Sequence, residues 1–169
     1  NWGEHGAEYQ EKITRAVPET DGLGVLYQGQ PIQAVFFSSA PGKTVDAQQV
    51  WGSAVPYLVS VDSPEGDEVP NYHSQLTFTA QEFRDLVLAQ YPDADLSGAP
   101  EGWLDHFVMD GGGTVATVDV GGVTLTGGAV RTLLGLRSAC FTVSVSEDQV
   151  TFSVTGYGHG VGMSQYGAN

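Results

Sequence analysis

One cysteine, six basic side chains and the lack of any long apolar run set the first limits on this 169-residue chain. A single thiol, Cys140, excludes an intrachain disulfide and any metal site built from cysteines of this chain alone. Within Ala139-Cys140-Phe141 it reads as a buried, inert group. Six bases against 20 acids leave a formal charge of −14. Such a surface repels phosphate backbones and anionic lipids, so no nucleic-acid partner is expected. A neutral or amino-sugar polymer stays compatible with it, as does plain solubility. No run approaches the roughly 20 apolar residues that cross a bilayer, and no secretion signal is present. His5, His73, His106 and His159 are scattered, without the helical spacing of a zinc pair, so neither a metal nor another cofactor is expected in this chain. The chain opens on Asn1 without an initiator Met, as expected of a fragment, so absent targeting segments say nothing of a longer native protein.

What is present describes a folded domain. Hydrophobic residues make up 41% of the chain, and 169 residues suffice for one domain with a real core. Glycine, at 23 residues, has about twice its usual share and falls in short clusters between β-like runs, which marks tight turns. Residues 4–17 predict a peripheral helix ending before Pro18. Leu23–Tyr27 and Pro31–Ser39 read as a hairpin turning near Gly29, with Ile32–Phe37 apolar enough for a central strand. Pro56–Val61 is another strand candidate. Thr79-Ala80-Gln81-Glu82 is a capping box opening a helix that Tyr91-Pro92 stops. Strands are expected over Trp103–Met109, from Thr114 to Val120, and on to Thr126 after a turn at Gly121-Gly122. A short helix follows at Gly127–Leu134. Two strands, Ala139–Ser146 and Gln149–Thr155, alternate apolar and hydroxyl side chains. The expectation is a single α+β domain over residues 1–169, with a mostly antiparallel sheet or partial barrel and a few short peripheral helices.

The densest chemistry is at the end: Gly156-Tyr157-Gly158-His159-Gly160-Val161-Gly162-Met163-Ser164-Gln165-Tyr166-Gly167. Alternate glycines permit positive φ or close backbone approach. Imidazole, hydroxyl, amide and phenol groups lie within eight residues, a set suited to sugar hydroxyls and acetamido groups. The duller readings stand beside it: His159 as a packed histidine bonded to backbone, Ser164 as a helix N-cap, Tyr157 as a core aromatic with a polar tip. A nucleophile elbow fails because Tyr166 stands where its second glycine belongs. A dinucleotide fingerprint fails on glycine spacing and on the short tail.

As a string, this segment resembles the C-terminal signature of the SpoIID family, the family of stage II sporulation protein D. Upstream, Val130-Arg131-x-x-Leu134-Gly135-Leu136-Arg137-Ser138 with Phe141 is similar to the family's Arg-x-x-Leu-Gly-Leu-Arg-Ser element. Val50-Trp51-Gly52 through Pro56-Tyr57-Leu58 and Val61-x-Ser63-Pro64 resembles its central block, and Ser38–Thr44 its Ser-rich Gly-Gly-x-Thr loop. The resemblance covers roughly residues 20–169. It implies a lytic transglycosylase that cleaves MurNAc–GlcNAc bonds of peptide-stripped peptidoglycan strands, leaving 1,6-anhydroMurNAc ends. One carboxyl group serves such a reaction first as acid and then as base. The family's catalytic Glu lies in a Glu-Met-Pro motif, which does not occur here. The expectation is therefore that this Glu stands upstream of Asn1, as do the His/Cys zinc ligands of some members.

In this reading Ser38, Ser39, Lys43 and Thr44 face His159, Ser164, Gln165 and Tyr166 across a glycan groove. Lys43 either takes the MurNAc lactyl carboxylate or is merely solvated, and Trp51 is expected in the core, with stacking on a sugar as the alternative. The resemblance further implies peptidoglycan strands as partner, a cell-wall amidase and other sporulation proteins as associates, and an extracytoplasmic site held by a membrane anchor outside these residues. Two rivals remain: a non-catalytic glycan-binding or amidase-activating module, and an unrelated hydrolase using Asp105 or Asp110.

Overall fold

The computed structural model describes residues 3–169. It is α+β, about 26% helix and 29% strand, in small sheets with no closed barrel among the described residues. The chain divides into two compact units at the Ala34–Val35 boundary.

In the first unit a 3₁₀ turn at Gly3–His5 leads into helix α1 (Gly6–Glu19), and strands β1 (Leu26–Tyr27) and β2 (Gln30–Pro31) pair antiparallel around Gln28-Gly29. Glu8 and Lys12, one turn apart, meet at 2.7 Å on the exposed face of α1, a solvent-screened pair that contributes little. The helix runs through Pro18, past the predicted stop. Thr20 then closes the end, giving both its N–H (3.1 Å) and its hydroxyl (2.9 Å) to the Ala16 carbonyl.

The second unit holds two three-stranded antiparallel sheets. One is ordered β10 (Phe141–Val145), β11 (Gln149–Thr155), β6 (His73–Thr79); the other is a meander of β7 (Leu104–Met109), β8 (Val115–Val120) and β9 (Val123–Thr126). Helix α3 (Ala80–Gln90) packs on β6 and β11, helix α4 (Gly127–Leu134) on β8 and β9, and the two helices touch. Period-two alternation sends Val150, Phe152 and Val154 inward, where they meet Phe83 and Val87 of α3 and, with Val118, Val130 and Leu134, make one core. Each such side chain contributes about 1.5–3 kcal/mol by leaving water. Phe83 stacks on Trp103 at 6.0 Å, and the Trp103 indole N–H donates to Gly98. The predicted capping box is formed at α3. Thr79 Oγ1 accepts the Glu82 N–H at 3.1 Å, and Glu82 accepts the Thr79 N–H at 2.8 Å.

The remaining strands are two residues long: β3 (Phe36–Phe37), β4 (Gly42–Lys43), β5 (Asp62–Ser63) and β12 (Met163–Ser164). β4 pairs antiparallel with β5, and β3 pairs parallel with β12. A five-residue helix, α2 (Ala47–Trp51), lies between β4 and β5, and Ala47, Leu58 and Val161 form a second small core. Here the expectations need correction. Ile32–Phe37 is not a central strand, since only Phe36 and Phe37 are paired and Phe36 is exposed. Pro56–Val61 is largely irregular, bonded to the 44–47 segment through Leu58 and Val61 carbonyls. An apolar run supplies hydrophobicity but not a partner edge, and without one it does not become a strand. No helix among the described residues is long and apolar enough to cross a membrane.

Candidate functional site

The glycine-rich tail is zipped onto the segment after β3. Ser39 and Tyr157 exchange backbone hydrogen bonds of 3.1 and 2.9 Å. Further along, Met163, Gln165 and Tyr166 donate to the carbonyls of Val35, Phe37 and Ser38. Val45 donates to Gly160 at 2.7 Å, and Gly158 to Arg137 at 2.9 Å. The two segments that the sequence places across a groove are thus bonded edge to edge. The glycines make this approach feasible. Gly158 has φ 123°, and a Cβ there would stand 2.6 Å from Phe37 Cβ; a Cβ on Gly162, at φ 82°, would strike the Val35 carbonyl.

Several predicted binding groups are committed within the fold. Ser39, Thr44 and Ser164 are buried. Thr44 Oγ1 accepts the Val61 N–H at 2.9 Å and donates to the Val59 carbonyl at 3.3 Å. Ser164 Oγ donates to the Ser38 carbonyl and accepts the Gly167 N–H, so it holds a turn and caps no helix. Ser38 is half-buried, its carbonyl committed to the tail. The Lys43 ammonium meets Asp62 at 2.8 Å on the surface. Gln165 and Tyr166 are exposed.

His159 stands apart from these, because it faces a groove on the other side of the tail. Its Nδ1 accepts the Val161 N–H at 3.1 Å, which leaves the proton of the neutral ring on Nε2. The ring sits 5.4 Å from Trp51 and 5.8 Å from Phe37. Burial holds its pKa below the usual histidine value; the hydrogen bond the ring gives to the Phe36 backbone opposes this, and the positive charge of Arg131 adds to it. Trp51, expected in the core, is 45% exposed, and Tyr157 is 49% exposed with the Arg137 guanidinium 5.2 Å above it. Trp51 ends the five-residue α2, whose buried contact is Ala47, so its indole projects from the rim.

The groove of about 750 Å³ is lined by Val50 and Trp51 of α2, Gln90 and Tyr91 at the end of α3 and its cap, Thr126, the α4 residues Gly128, Ala129, Arg131, Thr132 and Leu133, and His159. A narrower pocket of about 70 Å³ adjoins it through shared Val50, Thr126, Gly128, Arg131 and His159 and adds Gln49, Thr114 and Asp110. Asp110 Oδ1 accepts the N–H groups of Gly112 (2.9 Å) and Thr114 (2.8 Å), which commits it to its turn. Asp105, the other rival carboxylate, is exposed on β7 beside His106, away from both. Tyr91 and Arg131 were not singled out as groove residues by the sequence, whereas Trp51 was, as the alternative to a core position. Arg131 carried a signal in its place in the Arg-x-x-Leu-Gly-Leu-Arg-Ser string, and Tyr91 was read only as part of a helix stop. Cys140 is half-buried, and burial, helped by the charge of Asp110, pushes its thiol up to about 11.

Comparison with known sequences bears on the same residues. The chain is 42% identical over 168 residues to stage II sporulation protein D of Bacillus subtilis (strain 168) and 40% identical to that of Bacillus amyloliquefaciens, in each case across 99% of its own length. An amidase enhancer of Bacillus subtilis (strain 168) is 25% identical over 96% of the chain. The chain spans about half the length of the two sporulation proteins, 47% of each, and 30% of the enhancer. No family model matches it.

Proposed function

This chain is like stage II sporulation protein D along essentially its whole length, and on that premise we propose that it is the glycan-holding part of a peptidoglycan lytic transglycosylase acting outside the cytoplasm on peptide-stripped strands. The observation that carries the reading is the convergence of two separate family-like strings, through Arg131 and His159, on one groove whose rim bears Trp51. Aromatic faces at the rim suit the apolar faces of sugar rings. Gln90, Thr126 and Thr132 offer amide and hydroxyl groups for sugar hydroxyls. His159 acts as a pin: backbone groups hold its ring, so the ring fixes the tail and shows the groove a flat surface.

The general acid is a carboxyl group contributed by a part of the whole protein outside these residues. The larger groove offers none of its own, and Asp110 is tied to its turn. Protonation of the glycosidic oxygen by that acid, followed by attack of the MurNAc 6-hydroxyl on the anomeric carbon, gives the anhydro end without adding water. The distant likeness to an amidase enhancer favours a second reading, in which the same groove binds strands and presents a cell-wall amidase with its substrate. A membrane anchor elsewhere in the whole protein and a role in sporulation belong to the proposal on the same footing.

Digestion of peptide-stripped glycan strands, read by mass spectrometry, tests it. The whole protein yields anhydro-ended fragments, and this chain alone binds strands without cutting them. Fragments bearing water-derived reducing ends would rule out the transglycosylase reading. Binding without cleavage by the whole protein would leave the amidase-presenting module.

A further inference from the structure

Arg131 differs from the other five cations of this acidic chain. Lys12, Arg15 and Lys43 meet Glu8, Glu19 and Asp62, while Arg84 lies over the Trp103 ring and Arg137 over the Tyr157 ring. Among the described residues Arg131 has neither an ion pair nor a ring partner. Its Nε donates to the Arg137 carbonyl at 3.1 Å, which fixes the guanidinium plane while the terminal N–H groups remain available. The side chain is half-buried and lines both the groove and the pocket. Although acids outnumber bases 20 to 6, no Asp or Glu lines the larger groove. That wall is therefore positive in an otherwise negative molecule. The lowered pKa of His159, to which the Arg131 charge contributes, places that field in the groove.

We propose that Arg131 receives a carboxylate carried on a sugar ring, the free lactyl carboxylate of a muramic residue, while Trp51 and Tyr91 flank the ring. This inference rests on the glycan reading above and sharpens it. A guanidinium with its plane fixed presents two parallel N–H donors, the fork that matches a carboxylate. Lys43, the residue named for this task from sequence, is already paired with Asp62. The consequence is selectivity. In a strand that keeps its stem peptides the same carboxyl is an amide, uncharged and extended by a peptide, and it offers the fork a single neutral carbonyl in place of a charged pair of oxygens. Arg131 is thus the residue that would set the preference for strands already stripped of peptide.

Calorimetric titration with two probes tests the inference: the GlcNAc–MurNAc disaccharide with a free lactyl carboxylate, and the same disaccharide with that group converted to a neutral amide. The natural chain prefers the acid on the order of tenfold. In Arg131→Gln the ratio of the two affinities falls to about one, and Arg131→Lys keeps part of the preference through its charge. If Arg131→Gln unfolds, salt titration of the natural chain replaces it: the preference must shrink as ionic strength rises, with amide binding unchanged. A preference that survives Arg131→Gln or ignores salt overturns the inference, as does equal binding of acid and amide by the natural chain. Binding of neither probe is a separate outcome; it sinks the glycan reading itself, and this inference with it.

Discussion

Replacing Gly158 by Ala sets a methyl carbon 2.6 Å from Phe37 Cβ, where carbon contacts ordinarily settle near 3.5–4.0 Å, roughly 1 Å farther apart. Phe37 cannot retreat, because it is 4% exposed and paired with Ser164 in the β3–β12 ladder. The loop cannot retreat either, with the Gly158 and Val45 N–H groups bonded on either side of it. Overpacking of this kind costs about 1–3 kcal/mol, and φ 123° for a residue with a Cβ adds about 1–3 kcal/mol of strain. The expected loss is about 2–6 kcal/mol, which for a chain of this size lowers Tm by roughly 4–24 °C. Gly128→Ala is the matched comparison. It lies in α4 with a negative φ, its added methyl meets Thr126 Oγ1 at an ordinary 3.8 Å, and alanine is the better helix former. That variant holds or raises Tm. Differential scanning calorimetry of the two variants beside the natural chain decides the matter. Equal melting of Gly158→Ala and Gly128→Ala would refute the account of the tail as a close-packed zipper.

Thr79→Ala removes the acceptor of the α3 capping box and costs about 1 kcal/mol, readable as a Tm lower by roughly 2–4 °C; an unchanged Tm contradicts the capping role. His159 titrates below an ordinary histidine, chiefly because it is buried. As pH falls the unfolded chain therefore takes the proton first, near pH 6.5, so the stability from this group is complete above about that pH and lost below it. NMR titration of the ring proton checks this, and Arg131→Gln is expected to move the pKa upward by removing a neighbouring positive charge. Cys140, raised from 9.0 to about 11, holds about a hundredfold less thiolate at pH 8 than a thiol at the lower value, so it labels correspondingly slowly with a disulfide reagent in the folded chain. Labelling at the rate of a free thiol would contradict its burial.

Local patterns in the sequence determined what depends on neighbours along the chain. The capping box at Thr79, the period-two alternation of Val150, Phe152 and Val154, the Gly121-Gly122 turn and the α4 boundaries all follow from spacing and turn chemistry within a few residues. The strings through Arg131 and His159 likewise stood out as text, and so did the sparing use of cysteine and basic residues. Tertiary structure decided everything that needed a partner distant in sequence. Whether Ile32–Phe37 became a strand depended on an available edge, and only Phe36 and Phe37 met one, supplied by Met163 and Ser164 from the far end of the chain. Whether Ser39 and Ser164 met solvent or backbone depended on the tail folding back onto the segment after β3, and for Thr44 on the approach of Val59 and Val61. Trp51 looks like a core residue by type, yet it ends a single short helix whose buried contact is Ala47, and so it stands at the rim beside His159. Hydrophobicity and turn propensity are carried by each residue and are visible in the sequence. Exposure, pairing and the direction of an unpaired charge such as that of Arg131 belong to contacts, and contacts between distant segments exist only once the chain has closed on itself.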